Sequence, residues 1–472
     1  MFQIDKQKSI PLYRQLMNEI IIQIKDEELQ KGERLPSERI LAKEVGVNRS
    51  TVVRAYDELD AQGFVERRPN SGTYVLGTQS ESFSIKKMNT TIFSSIHQSE
   101  KITQFYSDIR KAIHTNSDKL IDTYTGELPS ELIPNIDLPQ LKWQEFLNER
   151  NDSLGYYPLR QEIRQLMNEG IETEIMLTAG GQQSLFLLLQ VLLKPGDTVA
   201  IEAPSFFNGL SLLQSMAIDI IEIPVDSDGM KVAYLEEKME KETIQLVLTN
   251  PNFQNPTGSS MTLKRRKQLV SLCQLYRIPI IEDDVFGQLF YKENSSLPRL
   301  KSLAPKQVIY LGSLSKVLGK EIQLGWIEAS KKVLDQVKKL RDESESQLSI
   351  FPQVLAAHAL QSETFKEELI ELRTHLLALK SLFIETLEQQ LKGEFTYINP
   401  QGGYYIWLTY RGRKLMETDW YYFLEKEILI FPSFFISSDV QSCRINLSRL
   451  DNKSITEFIS RLSKIVEIWQ SE

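Results

Sequence analysis

The feature that most restricts the fold is a succession of short apolar runs separated by helix-length segments: Glu174–Thr178, Val199–Glu202, Ile244–Thr249, Ile278–Glu282 and Val308–Leu311. Each run is strand-sized, and the segments between them are long enough to carry a crossover helix. Alternation of this kind folds as a mostly parallel α/β sheet, which gathers its ligands at the C-terminal ends of the strands. A smaller unit begins near Ser330 with helical patterns and then shows strand patterns at 402–408 and 442–447. At 472 residues the chain exceeds one ordinary core, so a multi-domain protein is expected.

The residues after these runs are chemically specific. Val308–Leu311 leads into Gly312-Ser313-Leu314-Ser315-Lys316, Ile280-Ile281-Glu282 leads into Asp283, and Asn255-Pro256-Thr257-Gly258 lies between them and the upstream strands. An amine beside hydroxyls, with a strand-end carboxylate and an amide, is what a pyridoxal 5′-phosphate (PLP) pocket requires. The amine of Lys316 forms a Schiff base, Ser313 and Ser315 hold phosphate, and Asp283 keeps the pyridine nitrogen protonated. Gly180, Gly181 and Gln182 open an apolar helix whose first amides and dipole attract phosphate. Phe206 is a candidate to stack on the ring. Taken singly, each has a plainer explanation: a surface lysine, a capping carboxylate, a generic turn, a core phenylalanine.

The first 77 residues follow another pattern. Ile10, Leu12, Leu16, Ile20 and Ile24 fall at helical spacing, and Ser37 N-caps a short helix that ends near Val45. Asn48 caps a third helix, with Val52, Ala55, Tyr56 and Leu59 on one side and Gly63 at its end. Phe64–Arg68 and Thr73–Val75 alternate like a two-stranded ribbon around the turn Pro69-Asn70-Ser71-Gly72. Three helices and a hairpin make a winged helix-turn-helix, mostly α, whose third helix enters the major groove of double-stranded DNA. Asn48, Arg49, Ser50, Thr51 and Arg54 lie on that surface, and Arg49 suits a two-point bond to guanine. Arg39, Lys43 and the wing arginine Arg67 suit phosphate, with Gly72 in the wing turn beside them. Residues 1–77 hold twelve basic and twelve acidic side chains, so the net charge of −8 belongs to the rest. A neutral head does not coat nucleic acid; it needs a small basic face and a paired head.

Residues 78–117 turn polar and lose their period, which reads as a tether with a short helix near Ile102–Ile113. Two cysteines, Cys273 and Cys443, imply no disulfide framework and fit a reducing cytoplasm. Four scattered histidines without a CxxC pair argue against a metal site. The longest apolar stretch, Leu185–Leu193, is broken by Gln190 and is too short to cross a bilayer, and the N-terminus lacks the core of a signal peptide.

The string Leu35-Pro36-Ser37-Glu38-Arg39, Leu41-Ala42, Gly46–Val52, Ala55-Tyr56, Leu59, Gly63 and Ser71–Val75 resembles the GntR-type regulators over nearly all of residues 1–77. Residues 118–472 resemble a fold-type I aminotransferase through Gly126-Glu127-Leu128-Pro129, Gly155–Arg160, Gln254–Gly258 and Ser315-Lys316. The large part would run to about 330 and the small part from about 331. This order of modules resembles the MocR subfamily of regulators. The resemblance implies that Lys316 carries PLP, that Asp283 pairs with its pyridinium nitrogen and that Asn255 bonds its ring oxygen. It also implies that Arg444 clamps an effector carboxylate through a two-point fork, that the effector is an amine, an amino acid or PLP itself, and that the protein is a homodimer with exchanged heads.

Three positions depart from that pattern. Gln323 stands where relatives supply an arginine to the phosphate, Phe286 replaces a tyrosine near the ring oxygen, and Gly181 replaces a serine. Losing an arginine–phosphate contact costs roughly 1.5–3 kcal/mol, and Lys320 is the candidate to supply the charge instead. Catalysis suffers more than occupancy, because proton transfer needs a tuned pocket. The expectation is a PLP-dependent sensor with weak or absent transaminase activity. A working aminotransferase with a DNA-binding head, and a PLP-free regulator that uses the cavity for another metabolite, are the alternatives.

Overall fold

Two side-chain caps shape the N-terminal unit. Its first helix, α1 (Leu12–Lys25), buries Leu16, Ile20 and Ile24 in one core with Leu41, Val52, Tyr56 and Leu59. Ser37 Oγ accepts the Ile40 N–H at 3.4 Å and starts α2 (Glu38–Val45); Asn48 Oδ1 accepts the Ser50 N–H at 3.1 Å and starts α3 (Arg49–Ala61). Strands β1 (Val65–Arg68) and β2 (Gly72–Val75) pair antiparallel, Val65 opposite Val75 and Arg68 opposite Gly72. This is the expected winged helix-turn-helix.

The computed structural model describes residues 11–25, 29–30, 32–61, 64–68, 72–76, 100–115, 119–136, 139, 142, 144, 151–167, 174–292, 297–344 and 348–472. Ile10, the helix stop at Gly63, the turn residues 69–71, the module limits at 77–78 and 117–118 and residues 78–99 of the tether lie outside them. The chain divides into two units, Met1–Ser94 and Ser95–Glu472.

Part of the expected tether is instead core. Helix α4 (Glu100–Thr115) buries Phe105 and Ile109 against the C-terminal unit's small part. Phe105 sits edge-on to Tyr421 at 4.8 Å, and Tyr106 stacks on Phe435 at 3.9 Å. An amphipathic stripe in a polar neighbourhood forms a helix once a partner face covers it.

The larger sheet is built from β3 (Glu174–Thr178), β4 (Thr198–Ala203), β5 (Asp219–Asp226), β6 (Gly229–Met230), β7 (Leu246–Thr249), β8 (Ile280–Asp283), β9 (Val308–Ser313) and β10 (Gly325–Ala329). Among the described residues its order is β3-β10-β9-β8-β7-β4-β5-β6. The central pairs are parallel, while β10 runs antiparallel between β3 and β9. Helix α5 (Gly181–Leu192) follows β3 and packs on the sheet through Leu185, Leu188 and Leu189. The small part is a four-stranded sheet, among the described residues, of β11 (Phe395–Tyr397), β12 (Tyr405–Tyr410), β13 (Phe431–Pro432) and β14 (Ser442–Asn446), covered by α6 (Glu363–Gln390) and α7 (Asn452–Ser471).

Candidate functional site

Because β3, β4, β7, β8 and β9 run the same way, the residues beyond their C-terminal ends share one edge of the sheet. They surround a cavity of about 500 Å³ whose lining includes Gly180, Gly181, Gln182, Phe206, Asn250, Asn255, Asp283, Ser313, Ser315 and Lys316. All the cofactor candidates read from the sequence therefore meet at one place.

Lys316 Nζ donates to the Gly126 carbonyl at 3.1 Å and lies 5.4 Å from the centre of the Phe286 ring. Tyr404 and Tyr405 donate to the same carbonyl, at 3.2 and 2.9 Å. Asp283 is 5% exposed and accepts the Val285 N–H at 3.4 Å; burial pushes its carboxyl from 3.8 up to about 7. Asn250 Nδ2 donates to the Asp283 backbone carbonyl at 2.6 Å and holds the strand end in place. At the start of α5, Gly180 has φ 95° and no side chain caps the helix. A Cβ on Gly325 would lie 2.6 Å from the Gly180 carbonyl carbon and 2.8 Å from the Gly181 nitrogen, so only glycine on β10 leaves room for this turn. The result is a helix N-terminus open to the cavity, a chemistry suited to an anion.

Ser313 Oγ donates to Leu324 O and accepts the Ser315 N–H, so it shapes the loop that carries Lys316. Phe206 lines the cavity and tilts against Phe207, with ring centres 4.7 Å apart. Phe286, 2% exposed, meets Tyr404 and Tyr405 edge-on. Gln323 lines the cavity in a left-handed conformation (φ 45°), and Lys320 pairs with Glu127 at 3.0 Å.

The expected open fork of Arg444 is already engaged. Its Nη1 donates to Asn255 Oδ1 at 3.0 Å and its Nη2 to Tyr124 O at 3.1 Å, while the guanidinium lies between Tyr405 (4.2 Å) and Phe431 (4.4 Å). Only Nε is buried without an acceptor. Arg444 thus touches the cavity through Asn255. Asn250, Tyr404 and Tyr405 were not singled out in the sequence, and Gly126 and Glu127 entered there only as part of a family landmark, without a role in the site. Asn250 carried a usable signal, since it directly follows a strand end; Gly126 acts through its backbone, which residue type does not report.

In the head, Arg39, Lys43, Asn48, Arg49 and Ser50 are exposed and Thr51 is half-buried. Two of the expected DNA contacts, exposed Arg54 and half-buried Arg67, are engaged with other side chains of the head. Arg54 lies over the Tyr13 ring at 4.0 Å and donates to its hydroxyl, and Arg67 pairs with Glu38 at 2.7 Å and with Asp57. Arg49 lies 3.8 Å from the same Glu38. The Gly72 position adjoins the Arg34 guanidinium, where a Cβ would fall 2.7 Å from Nε.

A winged helix-turn-helix joined to a lysine-centred cavity at the edge of a parallel sheet defines a DNA-binding regulator built on an aminotransferase-like body. The family profile for aminotransferase class I and II matches residues 138–462, and that for bacterial regulatory proteins of the gntR family matches residues 12–75. The chain is 30% identical over 416 residues to the uncharacterized HTH-type transcriptional regulator YdfD of Bacillus subtilis (strain 168), covering 85% of each. It is 29% identical over 461 residues to the uncharacterized HTH-type transcriptional regulator YisV of the same strain, covering 95% of this chain and 94% of YisV. Its fold matches the kynurenine aminotransferase of Pyrococcus horikoshii, solved in complex with PMP, with a TM-score of 0.69 and 26% identity, over 76% of this chain and 94% of that one. The chain therefore belongs to the GntR-type transcriptional regulators fused to a class I and II aminotransferase domain, the arrangement of the MocR subfamily. Among the described residues no helix is long and apolar enough to cross a membrane.

Proposed function

We propose that this regulator holds PLP on Lys316, reads an amine or amino acid at that site, and binds double-stranded operator DNA as a cytoplasmic homodimer. The observation that carries the reading is the meeting of Lys316, Asp283 and the Gly180–Gln182 turn around one cavity. PLP, when bound, supplies an aldehyde that captures amines covalently and a ring whose protonated nitrogen draws electrons.

The residues present suit that group. The Lys316 amine, held at the Gly126 carbonyl, is the nucleophile. Asp283, raised to about 7, is drawn to its charged form by a cationic ring nitrogen. The first amides of α5 offer the phosphate a helix N-terminus. Asn255 has its Oδ1 on Arg444, which leaves its amide nitrogen as the donor for a ring oxygen. Phe286 offers no hydroxyl to tune proton transfer, which favours sensing over turnover. Were an amine to take the place of Lys316 on the cofactor, the freed Lys316 amine would be available to donate to the Gly126 carbonyl, and that contact would then differ between the two states. Only such a differential contact can shift a population between two states.

Footprinting on an operator selected from random duplexes tests this. Wild-type protection is expected to change when PLP or amines are added, and that response should vanish in Lys316→Ala. Arg49→Ala is expected to abolish specific protection while the dimer persists. Protection that ignores PLP and amines, identically in wild type and Lys316→Ala, contradicts the sensing reading.

A further inference from the structure

One part of the cofactor proposed above, its phosphate, still lacks a full positive charge to meet it. A phosphate monoester carries about 1.5 to 2 negative charges at neutral pH. Among the described residues lining the cavity, the cations are Lys316 and Lys320, and the carboxylates are Asp283 and Glu127. Lys316 is committed to the aldehyde and Asp283 to the ring nitrogen. Gln323 and the α5 amides offer hydrogen bonds but no full charge. One cation of the lining is then left to meet the phosphate, Lys320, and that cation is bonded to Glu127 at 3.0 Å.

We propose that Lys320 is the phosphate-binding cation of this chain and that it exchanges Glu127 for the cofactor phosphate. The inference rests on the PLP reading and adds a residue to it. The exchange is inexpensive, because the Lys320 and Glu127 side chains are 64% and 42% exposed and such ion pairs contribute little. A charge-assisted bond to a phosphate in a half-enclosed cavity is stronger. Lys320 opens the short turn Lys320–Ile322 directly after Gly319, and Gly319, Lys320 and Gln323 all line the cavity. The backbone around Glu127 stays in place, since Asn446 Nδ2 donates to Thr125 O at 2.7 Å and to Glu127 O at 3.1 Å. The exchange is therefore a side-chain event: Lys320 swings inward and Glu127 is left facing solvent and incoming ligand.

The test compares PLP with pyridoxal, which has the aldehyde and ring but lacks phosphate, in equilibrium titrations of the full-length protein followed by absorbance. Lys320→Ala is expected to raise the Kd for PLP about tenfold or more and leave that for pyridoxal unchanged. Glu127→Gln, which removes the competing carboxylate, is expected to tighten PLP severalfold. In a Gln323→Arg background, which restores a cation to the cavity, Lys320→Ala is expected to lose most of its effect. PLP binding unchanged by Lys320→Ala overturns the inference and leaves the PLP reading standing, as does equal loss of PLP and pyridoxal. A wild-type protein that takes up neither compound, with Lys316→Ala indistinguishable from it, overturns both.

Discussion

Asp283 shows how far a single residue's chemistry follows from its position. It ends a buried strand, accepts one backbone N–H, and burial lifts its carboxyl from 3.8 to about 7. In PLP-free protein the folded state keeps this proton to about pH 7, whereas an unfolded chain releases it near its ordinary value. The stability it contributes is therefore complete below about pH 4 and is lost as pH rises through 7. Asp283→Asn, which cannot ionise, is expected to stabilise PLP-free protein by up to about 4 kcal/mol at about pH 8 and to change little at about pH 4. Thermal melts across that range check it, and a melting curve shifted equally at both ends contradicts it. The same substitution is expected to weaken PLP, a gain in stability against a loss of function. Lys316, Asp283 and the Gly180–Gln182 turn could be read from the sequence because each follows an apolar run at the edge where parallel sheets bind. The Arg444 fork could not, because its acceptors, Asn255 and the Tyr124 carbonyl, lie 189 and 320 residues away along the chain.

At the scale of elements, β3, β4, β7, β8 and β9 were legible from apolar runs, and α2 and α3 from their caps. Strand β10 was not, since Gly325 and Glu328 break its apolar run to Trp326-Ile327, and it runs against its neighbours. Helix α4 was legible as a helix but not as part of the body, because its docking face is defined by partners more than 300 residues later. Phe105→Ala is expected to cost about 3 kcal/mol, the price of a large cavity in an aromatic cluster, measured by denaturant unfolding of the full chain. An unchanged unfolding midpoint would mean that α4 is not docked. In the head, Glu38 on α2 holds Arg67 and lies beside Arg49. Glu38→Gln is expected to release Arg67 toward phosphate and Arg49 toward its base edge, tightening DNA binding severalfold and steepening its salt dependence. Fluorescence anisotropy at several salt concentrations measures this; weaker binding would show instead that the pair orders the DNA-reading surface.

Over the whole molecule, a head without net charge and a body that carries all of the −8 assign the two halves different work. The body's fold is that of an enzyme; on the proposed reading, Gln323 and Phe286 would weaken cofactor charge and proton transfer, while Lys316, Asp283 and the open end of α5 would keep the means of capture. Retained capture with weakened chemistry is what a sensor needs, and covalent capture by one amine is the claim on which the rest depends. The most direct measurement is borohydride reduction of the PLP-treated full-length protein followed by peptide mapping in a mass spectrometer. The predicted result is one phosphopyridoxyl adduct, on the peptide containing Lys316, absent from Lys316→Ala. Adducts scattered over surface lysines, and equally abundant in that variant, would contradict the account.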